Sequence, residues 1–320
     1  MRAVRVEKCG DAEVLTVQEV DPPTPGPGQA VVDVAASGVN FVDVYHRTGH
    51  YPSPLPFTPG VEGAGVVSAV GPDVTGVRVG DRVGWINVQG SYAEQAVVPA
   101  DRLVPLPDGI DAETAAASLL QGITAQYLVR STYRVRPGDE VLVHAAAGGV
   151  GLLLTQLVKY LGGHVIGTVS TPEKAELARA AGADRVVGYD EVPDAVRAFT
   201  DDEGVAVVYD GVGATTFEGS LASLRPRGYF VSSGSASGPV PPVDPLGLSR
   251  AGSVFFTRPT LAHYTAERAE LLERAEEVLS WVAGGTLTIH VTGRYPLEET
   301  AQAHRDLEGR RTTGKLLIVP

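Results

Sequence analysis

Short runs of alternating apolar and polar residues occupy the first hundred positions of the chain. Four of these runs are typical of half-buried strands and are separated by Gly and Pro: 30–35, 65–70, 82–86 and 93–98. The proline-rich stretch 21–28 lies between two such runs, and its fixed φ angles suit a surface loop. The pattern predicts a compact β-rich domain in this part of the chain.

A different pattern begins after Asp111, where strands and helices alternate. Helical stretches are predicted at 149–161 and 171–181, the second with Thr171 as its N-cap and Gly182 just beyond its end. Four apolar runs typical of buried strands lie between and around them: 140–144, 164–169, 205–209 and 229–232. This order predicts the α/β class, with a doubly wound parallel sheet.

Further along, apolar residues recur at helical spacing from Leu271 to Val282, and Lys315 to Val319 is typical of a strand. We expect the chain to return there to its first domain. A length of 320 residues favours two domains over one core, with a cleft between them.

Composition narrows the classes of partner and compartment. A formal net charge of -12 opposes binding to nucleic acid or to an anionic membrane and favours a small or cofactor-sized partner. Cys9 is the only cysteine, which excludes an intrachain disulfide and a four-thiolate zinc site and is compatible with a reducing cytoplasm. We find neither the apolar core of a signal peptide nor a run of the roughly 20 apolar residues that spans a bilayer. A cytoplasmic location is therefore expected.

The turn after the strand that ends at His144 has the spacing Ala145-x-x-Gly148-x-x-Gly151 and opens an apolar helix. Small residues allow the backbone to approach a diphosphate, and the helix N-terminus offers unpaired N–H groups. The cofactor contacts predicted in this turn are Ala147, Gly148, Gly149, Val150 and Gly151. Alanine replaces the usual first glycine, and a tight turn that needs small residues only for packing is the alternative.

The end of the next strand distinguishes NADH from NADPH. An acidic residue there would bind the 2′-hydroxyl of the ribose in NADH. This chain instead has Ser170 at the strand end and Lys174 one turn into the following helix, which suits a 2′-phosphate. Glu173 weakens this inference, although a carboxylate is also favourable in the first turn of a helix. The sequence therefore favours NADPH.

Three segments resemble a known family. Gly38-Val-Asn-Phe-Val-Asp43, the turn Ala145 to Gly151, and Val254-Phe-Phe-Thr-Arg-Pro259 are similar to the quinone oxidoreductase or ζ-crystallin branch of the medium-chain dehydrogenases. The resemblance covers essentially the whole chain. It implies a GroES-like β-rich catalytic domain at 1–124 and a Rossmann NADPH-binding domain at 125–264, followed by a C-terminal return to the catalytic domain at 265–320. It also implies quinone reduction by NADPH.

The same resemblance bears on zinc. Zinc-dependent relatives carry a cysteine where this chain has Asn40, and a His-Glu pair near Val61 and Glu62. A catalytic zinc site needs three protein ligands and an open position. The chain lacks the thiolate and the imidazole of that set, so we expect no metal.

The resemblance further implies the roles of individual residues. The implied catalytic cleft is formed by Asn40, Asp43, Tyr45, Tyr51 and Thr124, the last of them beside the nicotinamide. The implied cofactor contacts outside the turn are Ser170, Lys174, Tyr189 and Arg310 at the adenosine phosphate, Arg258, and Ser233 and Ser235 at the nicotinamide pocket. From the residues alone, Tyr189 is equally a half-buried tyrosine, Arg258 a solvated arginine, and the serines part of a turn.

Hydride transfer to a quinone is chiefly a matter of positioning, and Tyr45, Asn40 or Tyr51 could donate a hydrogen bond to the acceptor oxygen. One alternative is reduction of an enoyl thioester or a 2-alkenal. A remoter one is NADPH binding without useful turnover, in a structural or RNA-binding role. The apolar stretch Ser253 to Thr257 predicts an edge strand that pairs two copies into a homodimer, with internal packing of its phenylalanines as the alternative.

Overall fold

The computed structural model describes every residue from Met1 to Pro320 and divides the chain into two compact units. The first unit consists of Met1–Ile123 together with Thr265–Pro320, and the second of Thr124–Tyr264. Below they are called the discontinuous unit and the continuous unit.

Strands and helices follow one another in both units. In chain order the strands are β1 (Arg2–Arg5), β2 (Thr16–Glu19), β3 (Gln29–Val39), β4 (Glu62–Val70), β5 (Arg82–Ile86), β6 (Gln95–Pro99), β7 (Val104–Pro105), β8 (Glu140–Val143), β9 (His164–Thr168), β10 (Arg185–Val187), β11 (Val205–Asp210), β12 (Leu224–Ser232), β13 (Phe255–Thr257), β14 (Val291–Pro296) and β15 (Lys315–Val319). The helices are α1 (Phe41–Thr48), α2 (Ala112–Tyr127), α3 (Gly149–Tyr160), α4 (Pro172–Ala180), α5 (Val192–Phe199), α6 (Phe217–Ala222), α7 (Pro245–Arg250), α8 (Leu261–Tyr264), α9 (Arg268–Ala283) and α10 (Thr300–Glu308).

The discontinuous unit contains a seven-stranded sheet in the order β14-β15-β3-β4-β5-β7, with β6 also paired to β3. The four strands predicted near the N-terminus are confirmed as β3, β4, β5 and β6. Val32, Val83 and Trp85 are fully buried in the core that this sheet encloses. The alternation of apolar and polar residues therefore marks a sheet with one face turned to a core.

Near its C-terminus the chain adds strands to this same sheet, where β15 lies between β14 and β3. Leu316 of β15 pairs with Val39 of β3 in antiparallel register. A second core cluster joins Val4 and Phe57 to Leu297 and Leu316. Residues from both parts of the sequence thus share one core.

The continuous unit is built on six parallel strands in the order β10-β9-β8-β11-β12-β13. Renumbered within the sheet, this is the order 3-2-1-4-5-6 of a doubly wound dinucleotide-binding fold. Leu142, Ile166 and Phe230 are fully buried in its core. The predicted Rossmann sheet is confirmed.

The edge strand β13 differs slightly from its prediction. It begins at Phe255, not at Ser253, because Ser253 has a φ of 58° and cannot continue an extended strand. Phe255 is 52% exposed and stacks on Tyr229, whereas Phe256 contacts Phe230. The two phenylalanines therefore have different surroundings, one outside and one inside the sheet.

The ends of α4 follow the predicted signals. The Thr171 hydroxyl accepts a hydrogen bond from the N–H of Lys174 at 3.3 Å, and Gly182 takes a φ of 107° just after the helix. Among all the helices, none has an apolar stretch long enough to cross a membrane.

Candidate active site

The predicted cofactor turn connects β8 to α3. Its carbonyl at Ala145 accepts the N–H of Gly148 at 2.8 Å, and α3 begins at the next residue, Gly149. The first N–H groups of a helix have no partner within that helix and lie at the positive end of its dipole. Gly149 and Val150 are half-buried, so this end of α3 is accessible to an anion.

Gly151 is needed for packing as well as for any ligand. A Cβ atom at this position would lie 2.3 Å from the carbonyl oxygen of Ala145 and 2.9 Å from the Cα of Ala146. A Cβ at Gly148 would meet only the Ala145 carbonyl oxygen, at 3.2 Å. Close packing therefore explains why the last position of the motif, Gly151, is glycine. Apart from the Ala145 carbonyl oxygen and the two adjacent residues, no atom lies within 4 Å of the position that a Cβ at Gly148 would take.

The strand end that distinguishes the two nucleotides contains no carboxylate. β9 ends at Thr168, and Ser170 is exposed two residues later. Lys174 is half-buried in the first turn of α4. Hydrogen bonds from its own N–H and from Thr171 at the helix N-terminus lower the pKa of the Glu173 carboxyl group, as expected of a first-turn acid.

Three other predicted cofactor residues each follow the carboxyl end of a strand in the parallel sheet. Tyr189 lies just after β10, Ser233 after β12 and Arg258 after β13. The N–H of Ser233 donates to the carbonyl of Asp210 at 2.7 Å, and Nη1 of Arg258 donates to the carbonyl of Ser232 at 2.9 Å. The fold thus brings these side chains to the carboxyl ends of the strands, where ligands of this fold bind.

Ser235 and Arg310 are the remaining predicted cofactor residues. Ser235 follows Ser233 after the end of β12 and is half-buried. Arg310 belongs to the discontinuous unit, where it is exposed in the turn after α10 with a φ of 54°. Its role at the adenosine phosphate stays a prediction.

Of the predicted catalytic residues in the discontinuous unit, Asn40, Asp43 and Tyr45 lie at the N-cap or within α1, and Tyr51 follows the end of that helix. Asn40 is the N-cap, and its N–H donates to Oδ2 of Asp43 at 2.8 Å. This contact anchors the first turn of the helix. Asn40 and Asp43 are 4% and 1% exposed, so their polar groups must find partners inside the protein.

The side chain of Asn40 bonds to a buried ion pair that the sequence did not reveal. The Lys315 ammonium donates to Oε2 of Glu62 at 2.5 Å and to Oδ1 of Asn40 at 2.9 Å. Nδ2 of Asn40 donates to the same Glu62 oxygen at 2.9 Å. Lys315 and Glu62 are 1% and 0% exposed. We call Asn40, Glu62 and Lys315 the buried triad.

Glu62 has a further partner in the backbone, since the N–H of Leu120 donates to its Oε1 at 2.7 Å. Each carboxylate oxygen is therefore hydrogen-bonded, and the negative charge is balanced inside the core. The signal in the sequence is Lys315 at the first position of an otherwise apolar strand, because lysine is rarely buried without a partner.

Asp43 is itself held by three donors. Besides the N–H of Asn40, the Tyr92 hydroxyl donates to Oδ2 at 3.0 Å and the N–H of Val61 donates to Oδ1 at 3.2 Å. Burial raises the pKa of Asp43 to about 7, and the hydrogen bonds from Asn40 and Tyr92 oppose that shift. An aspartate in an unfolded chain has a pKa near 3.9.

This difference predicts an effect of pH on stability. Between pH 4 and 7 the folded chain holds a proton on Asp43 that the unfolded chain lacks, so the folded state loses stability as the pH rises. Asp43→Asn removes this loss. Relative to the wild-type chain, we expect its free energy of unfolding to increase by about 1.4 kcal/mol per pH unit from pH 4.5 to 6.5.

Urea unfolding measures this slope, followed by the fluorescence of Trp85 and Trp281 for the discontinuous unit and by circular dichroism for the continuous unit, which contains the control residue Asp184. Asp184→Asn is the control. Hydrogen bonding to Lys159 and Val165 lowers the pKa of Asp184 despite its partial burial, so its titration lies below the tested range. Parallel curves for wild-type and Asp43→Asn would contradict the prediction.

Behind Asp43, buried side chains continue the polar network toward the surface. The Tyr92 hydroxyl lies 3.4 Å from Nε2 of His304, and Nδ1 of His304 lies 3.2 Å from Nη1 of Arg47. Arg47 donates two hydrogen bonds of 2.7 Å to Glu308. Burial and the Arg47 charge lower the pKa of His304 to about 3, so this ring is neutral at pH 7.

The rings of Tyr45, His50 and Tyr51 form an aromatic group. The rings of Tyr45 and Tyr51 lie 5.1 Å apart, and His50 lies 5.2 Å and 5.3 Å from them. The N–H of Tyr51 donates to the carbonyl of Tyr45 at 3.0 Å. Thr124, the remaining predicted catalytic residue, lies on α2 as the first residue of the continuous unit and is half-buried.

Comparison with known proteins identifies the family of this chain. Residues 26–108 match the family model of the alcohol dehydrogenase GroES-like domain, and residues 181–318 match that of the zinc-binding dehydrogenases. A quinone oxidoreductase of Pseudomonas aeruginosa is 47% identical, over 100% of this chain and 99% of its own length. The chain belongs to the quinone oxidoreductase family of medium-chain dehydrogenases.

Two further proteins are similar over nearly the whole chain. The crystal structure of the Escherichia coli quinone oxidoreductase complexed with NADPH is 41% identical, with a TM-score of 0.98 and full coverage of both chains. A 2-haloacrylate reductase from a Burkholderia species is 41% identical over 99% of this chain and 98% of its own length. The predicted family and fold are confirmed.

The name of one matching family model raises the question of zinc. The residues present do not fit a catalytic zinc ion, which needs at least three N, S or O ligands from the protein. Asn40 and Glu62 are both bonded to the Lys315 ammonium, and a divalent cation beside that ammonium would be repelled. No group of three or more His, Cys, Asp and Glu side chains has a geometry that could hold a metal ion.

Proposed function

We propose that this member of the quinone oxidoreductase family is a zinc-independent NADPH:quinone oxidoreductase, which transfers a hydride from NADPH to a quinone or a similar conjugated carbonyl compound. The observation that carries the proposal is the buried triad, in which the Lys315 ammonium bonds to Glu62 and Asn40. An internal ammonium in this position repels a divalent metal ion, so the proposed hydride transfer proceeds without one. The names of the relatives from P. aeruginosa and E. coli support the acceptor class.

NADPH, when bound, supplies the hydride from its nicotinamide ring. The start of α3 binds the pyrophosphate through the N–H groups of Gly149 and Val150. Ser170 and Lys174 bind the 2′-phosphate, because one donates a hydrogen bond and the other supplies a positive charge. The further contacts that we propose are Tyr189 and Arg310 at the adenosine phosphate, and Arg258, Ser233, Ser235 and Thr124 toward the nicotinamide.

The aromatic group formed by Tyr45 on α1 and by His50 and Tyr51 just after it suits a flat acceptor. A conjugated ring packs against Tyr45 and Tyr51, whose centroids are 5.1 Å apart. A phenolic hydroxyl donates to the acceptor oxygen as negative charge develops there. Asn40 and Asp43 fix the first turn of α1 and thereby the position of Tyr45.

A panel of acceptors tests the proposal. We expect turnover with a p-quinone, and a kcat/KM at least tenfold higher with NADPH than with NADH. Lys174→Ala should raise the KM for NADPH about tenfold, since it removes one charge-assisted hydrogen bond, and leave the KM for NADH unchanged. Arg179→Ala is the control at the far end of α4, where Arg179 pairs with the exposed Glu176.

The outcomes of the panel separate the alternatives. Preference for NADH would overturn the assignment of Ser170 and Lys174. Turnover with a 2-alkenal, a 2-haloacrylate or an enoyl thioester, but not with quinones, would favour reduction of a conjugated double bond, which the relative named 2-haloacrylate reductase makes the second candidate. NADPH binding with no turnover across the panel would favour a structural role.

We also propose that the protein is a homodimer, in which β13 pairs with β13 of a second chain. We propose a cytoplasmic location for this dimer. Strand β13 pairs only with β12, and Phe255 on this edge is 52% exposed. An apolar edge strand is prone to pair with another strand. A monomeric mass in solution at micromolar concentration would contradict the dimer.

A further inference from the structure

His144 is the residue between β8 and the cofactor turn, and its ring is 4% exposed. Nδ1 of the ring lies 2.9 Å from the hydroxyl of Thr168, and Nε2 lies 2.8 Å from the hydroxyl of Ser220. Both ring nitrogens therefore bond to side chains inside the continuous unit. One partner ends strand β9 and the other lies in α6.

The directions of these hydrogen bonds follow from the last group in the series. The Ser220 hydroxyl donates to Oδ2 of Asp210 at 2.9 Å, so its oxygen accepts from His144 and the ring carries its proton on Nε2. Nδ1 then accepts from the Thr168 hydroxyl. Burial lowers the pKa of His144, which agrees with a neutral ring that has one donor and one acceptor.

Asp210 is a fixed end point for this series. The N–H groups of Val212 and Gly213 donate to its Oδ1 at 2.8 and 2.9 Å. The Thr216 hydroxyl donates to Oδ2 at 2.7 Å. Asp210 is fully buried, and these donors hold the carboxylate in one orientation at the end of β11.

At the other end, Thr168 holds the start of the cofactor turn. Its hydroxyl accepts the N–H of Ala145 at 3.3 Å, and its carbonyl accepts the N–H of Ala146 at 3.0 Å. Ala145 has a φ of 51°, a left-handed conformation that is unfavourable for a residue with a side chain. An alanine can keep this conformation because the surrounding contacts determine it.

We propose that Thr168 and His144 are positioning residues for the NADPH turn, and that the hydrogen-bond series Asp210–Ser220–His144–Thr168 holds Ala145 in its left-handed conformation before the cofactor binds. The proposal rests on the proposed function, since it assigns a role in binding that cofactor. A turn that is already ordered loses less conformational freedom on binding, so the series contributes to affinity without touching the cofactor.

The ring of His144 also lies behind a second part of the predicted site. It is nearly parallel to the ring of Tyr189, with an angle of 10° and centroids 6.0 Å apart. Tyr189 is the residue proposed at the adenosine end. One buried ring therefore stands next to both the turn and this tyrosine.

Two substitutions of Thr168 test the proposal. Thr168→Val has nearly the same shape but removes the hydroxyl, and Thr168→Ser keeps it. We expect Thr168→Val to raise the Kd for NADPH about tenfold, as measured by the fluorescence of the nucleotide, and Thr168→Ser to change it less than twofold. At saturating NADPH the kcat with a p-quinone should stay within twofold of wild type.

His144→Phe tests the next link in the series. It should raise the Kd for NADPH about as much as Thr168→Val does. The Kd of the double variant should lie within twofold of that of either single variant, because both substitutions break the same hydrogen-bond series. Val208→Ala is the control for general loss of stability. Val208 is buried in the same sheet, so this variant lowers the midpoint of thermal unfolding without raising the Kd.

Each outcome supports or overturns the inference. Equal affinity of wild type, Thr168→Val and Thr168→Ser for NADPH would overturn it while leaving the proposed function intact. An increase in Kd for Val208→Ala as large as that for Thr168→Val would also overturn it, because stability alone would explain the effect. A wild-type chain that bound no NADPH would overturn the proposed function as well.

Discussion

Lys315→Met is expected to destabilise the discontinuous unit by about 3–5 kcal/mol, because it leaves the carboxylate of Glu62 buried without its positive partner. Oε2 of Glu62 would keep only the amide of Asn40. A shift in the midpoint of urea unfolding measures the loss, followed by tryptophan fluorescence for this unit and by circular dichroism for the continuous unit, which contains the control residue. Both tryptophans, Trp85 and Trp281, report on this unit.

The control for this prediction is the same substitution at an accessible ion pair. Lys159 bonds to Asp184 at 2.7 Å, and the side chains are 31% and 29% exposed, so Lys159→Met should cost about 1 kcal/mol or less. Glu62→Gln added to Lys315→Met should recover part of the stability, since it removes the unpaired charge. The amide oxygen keeps only one of the two hydrogen bonds, from Leu120 or from Asn40, that the two carboxylate oxygens accept. If Lys315→Met were as stable as Lys159→Met, the buried triad would not have the role described.

Gly151→Ala is expected to weaken NADPH binding about a hundredfold or more. Its Cβ atom would lie 2.3 Å from the carbonyl oxygen of Ala145, and that atom belongs to the backbone of the turn. The turn has to shift away from α3, so the N–H groups at the start of the helix no longer face the same point. Titration of NADPH fluorescence measures the affinity.

Gly219→Ala is the matched control in the same unit. Its Cβ atom would meet Cγ of Pro193 at 3.8 Å, which is an ordinary contact, and alanine favours the helix in which it lies. This variant should bind NADPH as the wild-type chain does. A Kd for Gly151→Ala within threefold of wild type would show that the turn does not depend on this glycine.

Much of the fold could be predicted because its signals are local. Alternating runs marked the strands of the discontinuous unit, and Thr171 with Gly182 marked the ends of α4. The sequence does not predict the first residues of strands that contain glycine or an irregular backbone. β4 begins at Glu62, three residues earlier than predicted. Residue 63 lies so close to Trp85 that a Cβ atom there would be 2.5 Å from the ring. Glycine is required there, and it hides the strand pattern.

β12 shows the same limitation for a different reason. It begins at Leu224, whereas only its second half was predicted. Arg227 has a φ of 60°, and the register to β11 shifts near this point. An irregularity of this kind breaks the alternation on which a sequence prediction depends.

The site was predicted where it follows short motifs and missed where it depends on distant residues. The turn Ala145 to Gly151 is contiguous, so its spacing was informative. The partners in the buried triad are far apart, with Lys315 separated from Asn40 by 275 residues and from Glu62 by 253. For His144 the sequence predicts only the end of a strand, because the hydroxyl groups that bond to its ring come from other elements.

The position of β15 in its sheet has a consequence for how the chain folds. This strand pairs with β3, although the residues that meet there are widely separated in sequence. During synthesis β3 leaves the ribosome long before β15, and the residues Ser37 to Val39 that pair with β15 have no partner strand on that side until then. The parallel sheet of the continuous unit is complete earlier, so a nascent chain can form its nucleotide-binding half while the other still awaits a central strand.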